Sequence, residues 1–233
     1  MPLIAFVTLP PDARAPGRDD LHAAWARLWP QEQPPAELDA VAHIPAPVPW
    51  SDLEGPTGCA WHWPQAADVV RAHASHLIVA VADAEPDVKS AVQLTRLVAA
   101  AIEACPAATA VYWGAGTTVS PADRFLATAR DMTPEELPLL SWIEFRVFGD
   151  AGATSLFTTG LAPLGLMEIE IRGSKREVDH LIERAYDFAH YQALRGRVLR
   201  HGDTIGASAE ERIAIRHTPS AWDRPGQVLT LDL

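Results

Sequence analysis

The chain has 233 residues, 48% of them hydrophobic and 21% charged, which is enough to bury a sizeable core and excludes a disordered protein. Its formal charge of −11 at pH 7 argues against a nucleic-acid binder, whose affinity rests on lysine and arginine, and against docking on an anionic membrane. It permits a basic protein partner.

The apolar, β-branched run Leu3–Leu9 predicts a buried strand. It is too short to span a bilayer and lacks the basic leader and cleavage pattern of a signal peptide, so a cytoplasmic protein is expected. Asp19 or Asp20 can cap a short helix that runs through Leu28. Residues 30–58 hold seven prolines and predict extended loop with one short strand near Val41–Ile44. Cys59–Trp63 and Leu77–Ala82 read as strands, the second central because it carries no polar residue. Asp87–Ala104 is an amphipathic helix, Ala110–Trp113 a strand, Pro121–Asp131 a helix and Leu139–Phe148 a strand.

The clearest local pattern lies between Gly165 and Gly206. Met167, Ile169 and Ile171 alternate with Glu168, Glu170 and Arg172, which predicts a half-buried strand with its charged row facing solvent or a partner. Ser174 and Glu177 have the spacing of a capping box, and apolar residues from Val178 to Ala189 make one stripe on a helix reaching Arg195. Gly196 suits the left-handed position that ends a helix. Further strands are expected near Ile213–Ile215 and Val228–Leu231. Strand, run and helix recur in both halves. The expected fold is therefore α+β: two related halves, 1–135 and 136–233, each an antiparallel or mixed sheet covered by helices on one face, ferredoxin-like in character.

Thr159-Gly-Leu161, Leu164-Gly165, Glu168–Ile171, the long helix, Gly202-Asp-Thr-Ile-Gly206, Glu211 and Ile213–Ile215 together resemble the bacterial family called domain of unknown function 4261 (DUF4261). The strands His76–Val81 and Val111–Trp113 are similar to its N-terminal part. The resemblance runs from about residue 60 to the end. It implies a soluble bacterial α+β protein and supplies no reaction.

Several residues invite a functional reading, each beside a plainer one. In the 202–206 turn, Asp203 and Thr204 could meet a ligand between two glycines, although such turns more often serve the backbone. His73 and His76 could offer two metal ligands with His62 nearby in sequence. A metal needs three or four converging ligands, and a strand at 77–82 makes the two diverge, so no metal or other cofactor is assigned. Gly114-Ala-Gly116 lacks the third glycine of a dinucleotide fingerprint. Cys59 and Cys105 make neither a disulfide framework nor a zinc site. No nucleophile motif occurs, and the Glu168/Glu170 pair could do acid–base work, although a solvated strand face is the more frequent explanation. Eight tryptophans are many for this length. Trp113 and Trp142 fit a core, while Trp50, Trp61 and Trp63 are hard to bury together and point to a groove or contact surface.

These features favour a non-catalytic protein-binding module of the adaptor or immunity type. A small-molecule sensor binding between the halves is the second reading, and an enzyme with a site scattered in sequence the third.

Overall fold

The computed structural model describes residues 2–150, 152–206 and 211–233. The chain forms two compact units, Met1–Trp142 and Ile143–Leu233, and its fold class is α+β, with one antiparallel and one mixed sheet.

The first unit runs β1 (Leu3–Leu9), α1 (Arg18–Leu28), a 3-10 turn (Ala36–Ala40), β2 (Ala42–Ile44), α2 (Trp50–Cys59), α3 (Ala66–Arg71), β3 (Ser75–Val81), α4 (Val88–Ala104), β4 (Ala110–Trp113), β5 (Thr118–Pro121), α5 (Ala122–Asp131) and α6 (Leu139–Trp142). Its sheet has the order β2-β3-β1-β4-β5, antiparallel throughout. Residues paired across strands share a face. Ala5 lies between Val79 and Trp113, and Val7 between Leu77 and Val111, which makes one wholly apolar face. Helix α4 covers it, flanked by α1 and α5. Asp87 caps α4 by accepting from Ser90 N at 3.0 Å, while Ser90 Oγ accepts from Asp87 N. Trp113 and Trp142 stack in this core at 6.1 Å, and Trp142 donates its indole N–H to Thr95 Oγ1 at 2.7 Å.

The opposite face is covered too, which corrects the expectation of helices on one side. Val48, Leu53, Val70, Ala110 and Val119 form a buried cluster there, with Phe6, Trp50, Trp63 and Tyr112 packed against it. The stretch expected as loop therefore folds. Helix α2 follows Pro49 and buries Leu53 and Thr57, one turn apart, despite Gly55, Pro56 and Gly58. Burial of that stripe outweighs the poor helix propensity of its residues. Cys59–Trp63 is not a strand but the end of α2 and a turn closed by Trp61 N to Cys59 O and Trp63 N to Ala60 O. Leu139–Trp142 is helical, so the strand expected over 139–148 begins only at Glu144.

The second unit runs β6 (Glu144–Asp150), β7 (Ala153–Thr159), β8 (Ile169–Ser174), α7 (Val178–Arg195), β9 (Thr204–Ile205), β10 (Ile213–Pro219) and β11 (Gln227–Asp232). Its sheet order is β6-β7-β8-β11-β10-β9, with β8 and β11 parallel and the other neighbours antiparallel. Two meanders are thus joined at one parallel pair, with α7 in the crossover. Ile169 and Ile171 share an apolar face with Leu229 and Leu231, and α7 packs against β8, β7 and β6 with Leu181, Ala185 and Phe188 buried. Gln192 extends the seam by bonding both ways to the Met167 backbone. Gly196 ends α7 at φ +76°, its N–H donating to Gln192 O at 2.7 Å. The helix starts later than the capping box implied. Glu177 is its N-cap, Ser174 closes β8, and Val178 is exposed at the first turn.

Only part of the charged row faces solvent: Arg172 is exposed and Glu168 is half-buried. Glu170 is fully buried, because the β10–β11 connection folds over that face of the sheet. Its carboxylate accepts from Arg172 Nη2 at 2.6 Å and Nε at 2.9 Å, from Ser220 Oγ at 2.5 Å and from Ala221 N at 3.1 Å. Removing the carboxylate strips Arg172, Ser220 Oγ and Ala221 N of their shared acceptor. Glu170→Ala is expected to lower the stability of this unit by about 2 kcal/mol in urea unfolding, and Glu170→Gln, which keeps an acceptor, by less.

Candidate functional site

The tryptophans and histidines singled out in the first unit gather mostly where they serve packing. Trp50 and Trp63 are half-buried against the Val48–Val119 cluster, and the Arg71 guanidinium lies 4.1 Å above the Trp50 ring. His73 Nε2 accepts from Val48 N at 2.8 Å while Nδ1 bonds Val70 O. His76 Nδ1 donates to Ala46 O at 2.8 Å, with its ring against Phe6. Both histidines are buried, and together they pin the proline-rich segment 45–49 to the sheet. Trp61 is separate: it is 63% exposed, in contact with the His62 ring. Among the described residues no three His, Cys, Asp or Glu side chains converge in a group able to hold a metal. Among the described residues Cys59 and Cys105 are not joined in a disulfide.

Asp203 and Thr204 belong to the second unit. Asp203 accepts from Arg200 N at 2.8 Å, and its own backbone bonds Arg200 O and Ile215 N, so it shapes the turn before β9. Thr204 pairs with Ala214 at the sheet edge and is exposed. Both line a shallow groove of about 530 Å³ with Tyr191, Val198, Leu199 and Ile205.

A second hollow in this unit, about 570 Å³, carries more polar chemistry. It lies between the start of β8, the segment after α7, and the β10–β11 connection. Glu168, Arg197, His217 and Arg224 line it, with Leu166, Met167, Pro225 and Val228 as apolar wall. Glu168 accepts from Thr158 Oγ1 at 2.7 Å and from Gly160 N and Ala162 N at 2.9 Å, which fixes the turn after β7. Arg197 donates from Nε to Gly165 O at 2.5 Å and from Nη2 to Leu166 O at 3.1 Å. Arg224 donates to Thr158 O and Thr159 Oγ1, its guanidinium 4.4 Å from the Phe157 ring centre. His217 Nε2 donates to Leu199 O at 3.0 Å. All four polar groups are thus tied to nearby main chain.

Every residue lining both hollows lies between 162 and 228. Residues 157–232 match the model of the family described as Domain of unknown function (DUF4261). This segment belongs to that family. No curated protein and no solved structure matches the chain. The DUF4261 segment therefore holds both hollows, together with Asp203 and Thr204. Reading the sequence singled out neither Arg197, His217 nor Arg224. The usable signals were an arginine just past the glycine that ends α7 and the Arg224-Pro-Gly226 turn. No described helix is long and apolar enough to cross a membrane.

Burial holds the His76 pKa below its ordinary 6.5, with the nearby His73 and His43 pushing the same way, and burial lowers that of His62 as well. A base with a depressed folded-state pKa is neutral in both states above 6.5. As pH falls, the unfolded chain takes up the proton first, so stability is lost through the unfolded value toward the folded one. The urea midpoint of the first unit is expected to fall between about pH 7 and 5. His76→Asn keeps an N–H for Ala46 O and should flatten that slope without abolishing it, because His62 remains.

Proposed function

We propose that this protein is a non-catalytic binding module that captures an acidic, apolar stretch of a partner protein on its DUF4261 segment. The observation that carries the reading is an apolar patch at the end of α7, exposed among the described residues. Tyr191, Leu194 and Val198 are 38%, 42% and 47% exposed, and the first two are one helical turn apart. The exposed Arg195 and Arg200 flank them, in no ion pair among the described residues. Apolar side chains within a charged rim are the makeup of a contact surface. The groove holding Asp203 and Thr204 borders this patch through Tyr191 and Val198, and β9 is an edge strand of the sheet among the described residues. An extended segment could add there by strand pairing.

The polar groups of the neighbouring hollow support binding over catalysis, because each is oriented by nearby main chain rather than by another acid or base. We read the first unit as a ferredoxin-like scaffold, on the strength of its order β4-β1-β3-β2 with helices in the two crossovers and β5 appended. The family resemblance fits a protein of the bacterial cytoplasm.

Selection from a random peptide library against the full chain tests the reading. Enriched peptides should combine acidic with large apolar residues and should bind more weakly as salt rises. Leu194→Asp with Val198→Asp should weaken their binding at least about tenfold, or 1.4 kcal/mol, with unchanged thermal unfolding. Trp61→Ala should leave binding intact. Peptides without acidic bias, or indifferent to the double substitution, would overturn the reading.

A further inference from the structure

The hollow between the start of β8 and the β10–β11 connection has a charge balance that none of its structural duties requires. Two guanidiniums, Arg197 and Arg224, face it against one carboxylate, Glu168. Glu168 already accepts three hydrogen bonds, and neither arginine has a carboxylate partner among the described residues. Their contacts are to carbonyls and a hydroxyl, which orient a guanidinium without neutralising it. Arg197 keeps Nη1 for a ligand, and Arg224 keeps Nε, its plane fixed over Phe157. Planar, pre-oriented donors of this kind suit a carboxylate. Beside them Met167 and Val228 offer an apolar wall, and about 570 Å³ is the size of a small-molecule pocket.

We propose that this hollow binds a monoanionic carboxylate with an apolar body, its carboxylate shared between Arg197 and Arg224. The net charge of the lining favours one negative charge over two, since a dianion would meet Glu168 without a third cation. Phosphate is therefore a poor ligand. The carboxylate could belong to a free aliphatic acid or to the C-terminus of a peptide, and the same two arginines would hold either.

The test titrates the full chain, labelled with nitrogen-15, with hexanoate, an N-acetylated tripeptide ending in leucine, the same tripeptide amidated, hexanol and inorganic phosphate. Saturable shifts of the backbone resonances of Met167, Gln227 and Val228 are expected with hexanoate, with the free tripeptide, or with both, and not with the other three. The stronger of the two identifies the source of the carboxylate. Arg197→Gln, at an exposed side chain bonded to the Gly165 and Leu166 carbonyls, should weaken binding about tenfold with other spectral changes confined to those neighbours. Arg224→Gln should do the same, and Arg224→Lys, which keeps charge but not the fork, should restore only part of the affinity. Saturation by phosphate or hexanol, saturation unaffected by Arg197→Gln, or no saturable shift from either carboxylate at millimolar concentration would overturn the proposal.

Discussion

The second unit depends on a carboxylate that has been taken out of water. Glu170 sits on β8, the strand through which the two meanders are joined, on the face away from α7. Desolvating that charge is costly, and it persists only because Arg172, Ser220 and Ala221 N surround it with donors. Those donors come from two places: two residues along the same strand, and the connection that folds across the sheet. Satisfying Glu170 therefore fixes where residues 220–226 lie. Trp222, on the same connection, packs on Phe148 and Phe157, and Arg224 reaches Thr158 and Thr159. The wall of the 570 Å³ hollow is a consequence of this ion pair.

Glu168, two residues earlier, solves a related problem for the turn after β7. Its three donors include two main-chain N–H groups that no strand would satisfy. The first unit uses neutral side chains for the same purpose. His73 and His76 supply an acceptor and a donor to Val48 and Ala46, in a segment whose prolines remove main-chain partners. In both units, polar residues that read as candidates for chemistry are anchors for irregular main chain.

That is why the elements were legible in the sequence and the sites largely were not. Period and length sufficed for β1, β3, α4 and the body of α7, since each carries an apolar face that must be buried. They failed where tertiary burial overrides local preference. Helix α2 contains Gly55, Pro56 and Gly58 and holds because Leu53 is buried in the cluster with Ala110 and Val119 of the sheet. Alternation along β8 placed Glu170 on the face opposite Ile169 and Ile171, as it is. Period two reports which side a residue is on, and cannot report that a loop 50 positions away covers that side. The capping-box spacing of Ser174 and Glu177 was equally silent on the two residues by which β8 outruns Arg172.

Charge carries the same lesson at larger scale. The total of −11 suggests a basic partner, yet it is unevenly held: residues 1–142 have 17 acidic side chains against 8 lysines and arginines, and residues 143–233 have 13 against 11. Within the second group many acids are consumed internally, Glu170 by Arg172 and Glu144 by Arg146 among them. Arg195, Arg197, Arg200 and Arg224 fall between residues 195 and 224 without such partners among the described residues. Fields from exposed charges fade over about 8 Å at physiological salt, so a ligand responds to these neighbours more than to the distant total. An acidic protein can thus present a local surface that selects for negative charge, and the chemistry of its partner follows from the unpaired arginines rather than from the sum over the chain.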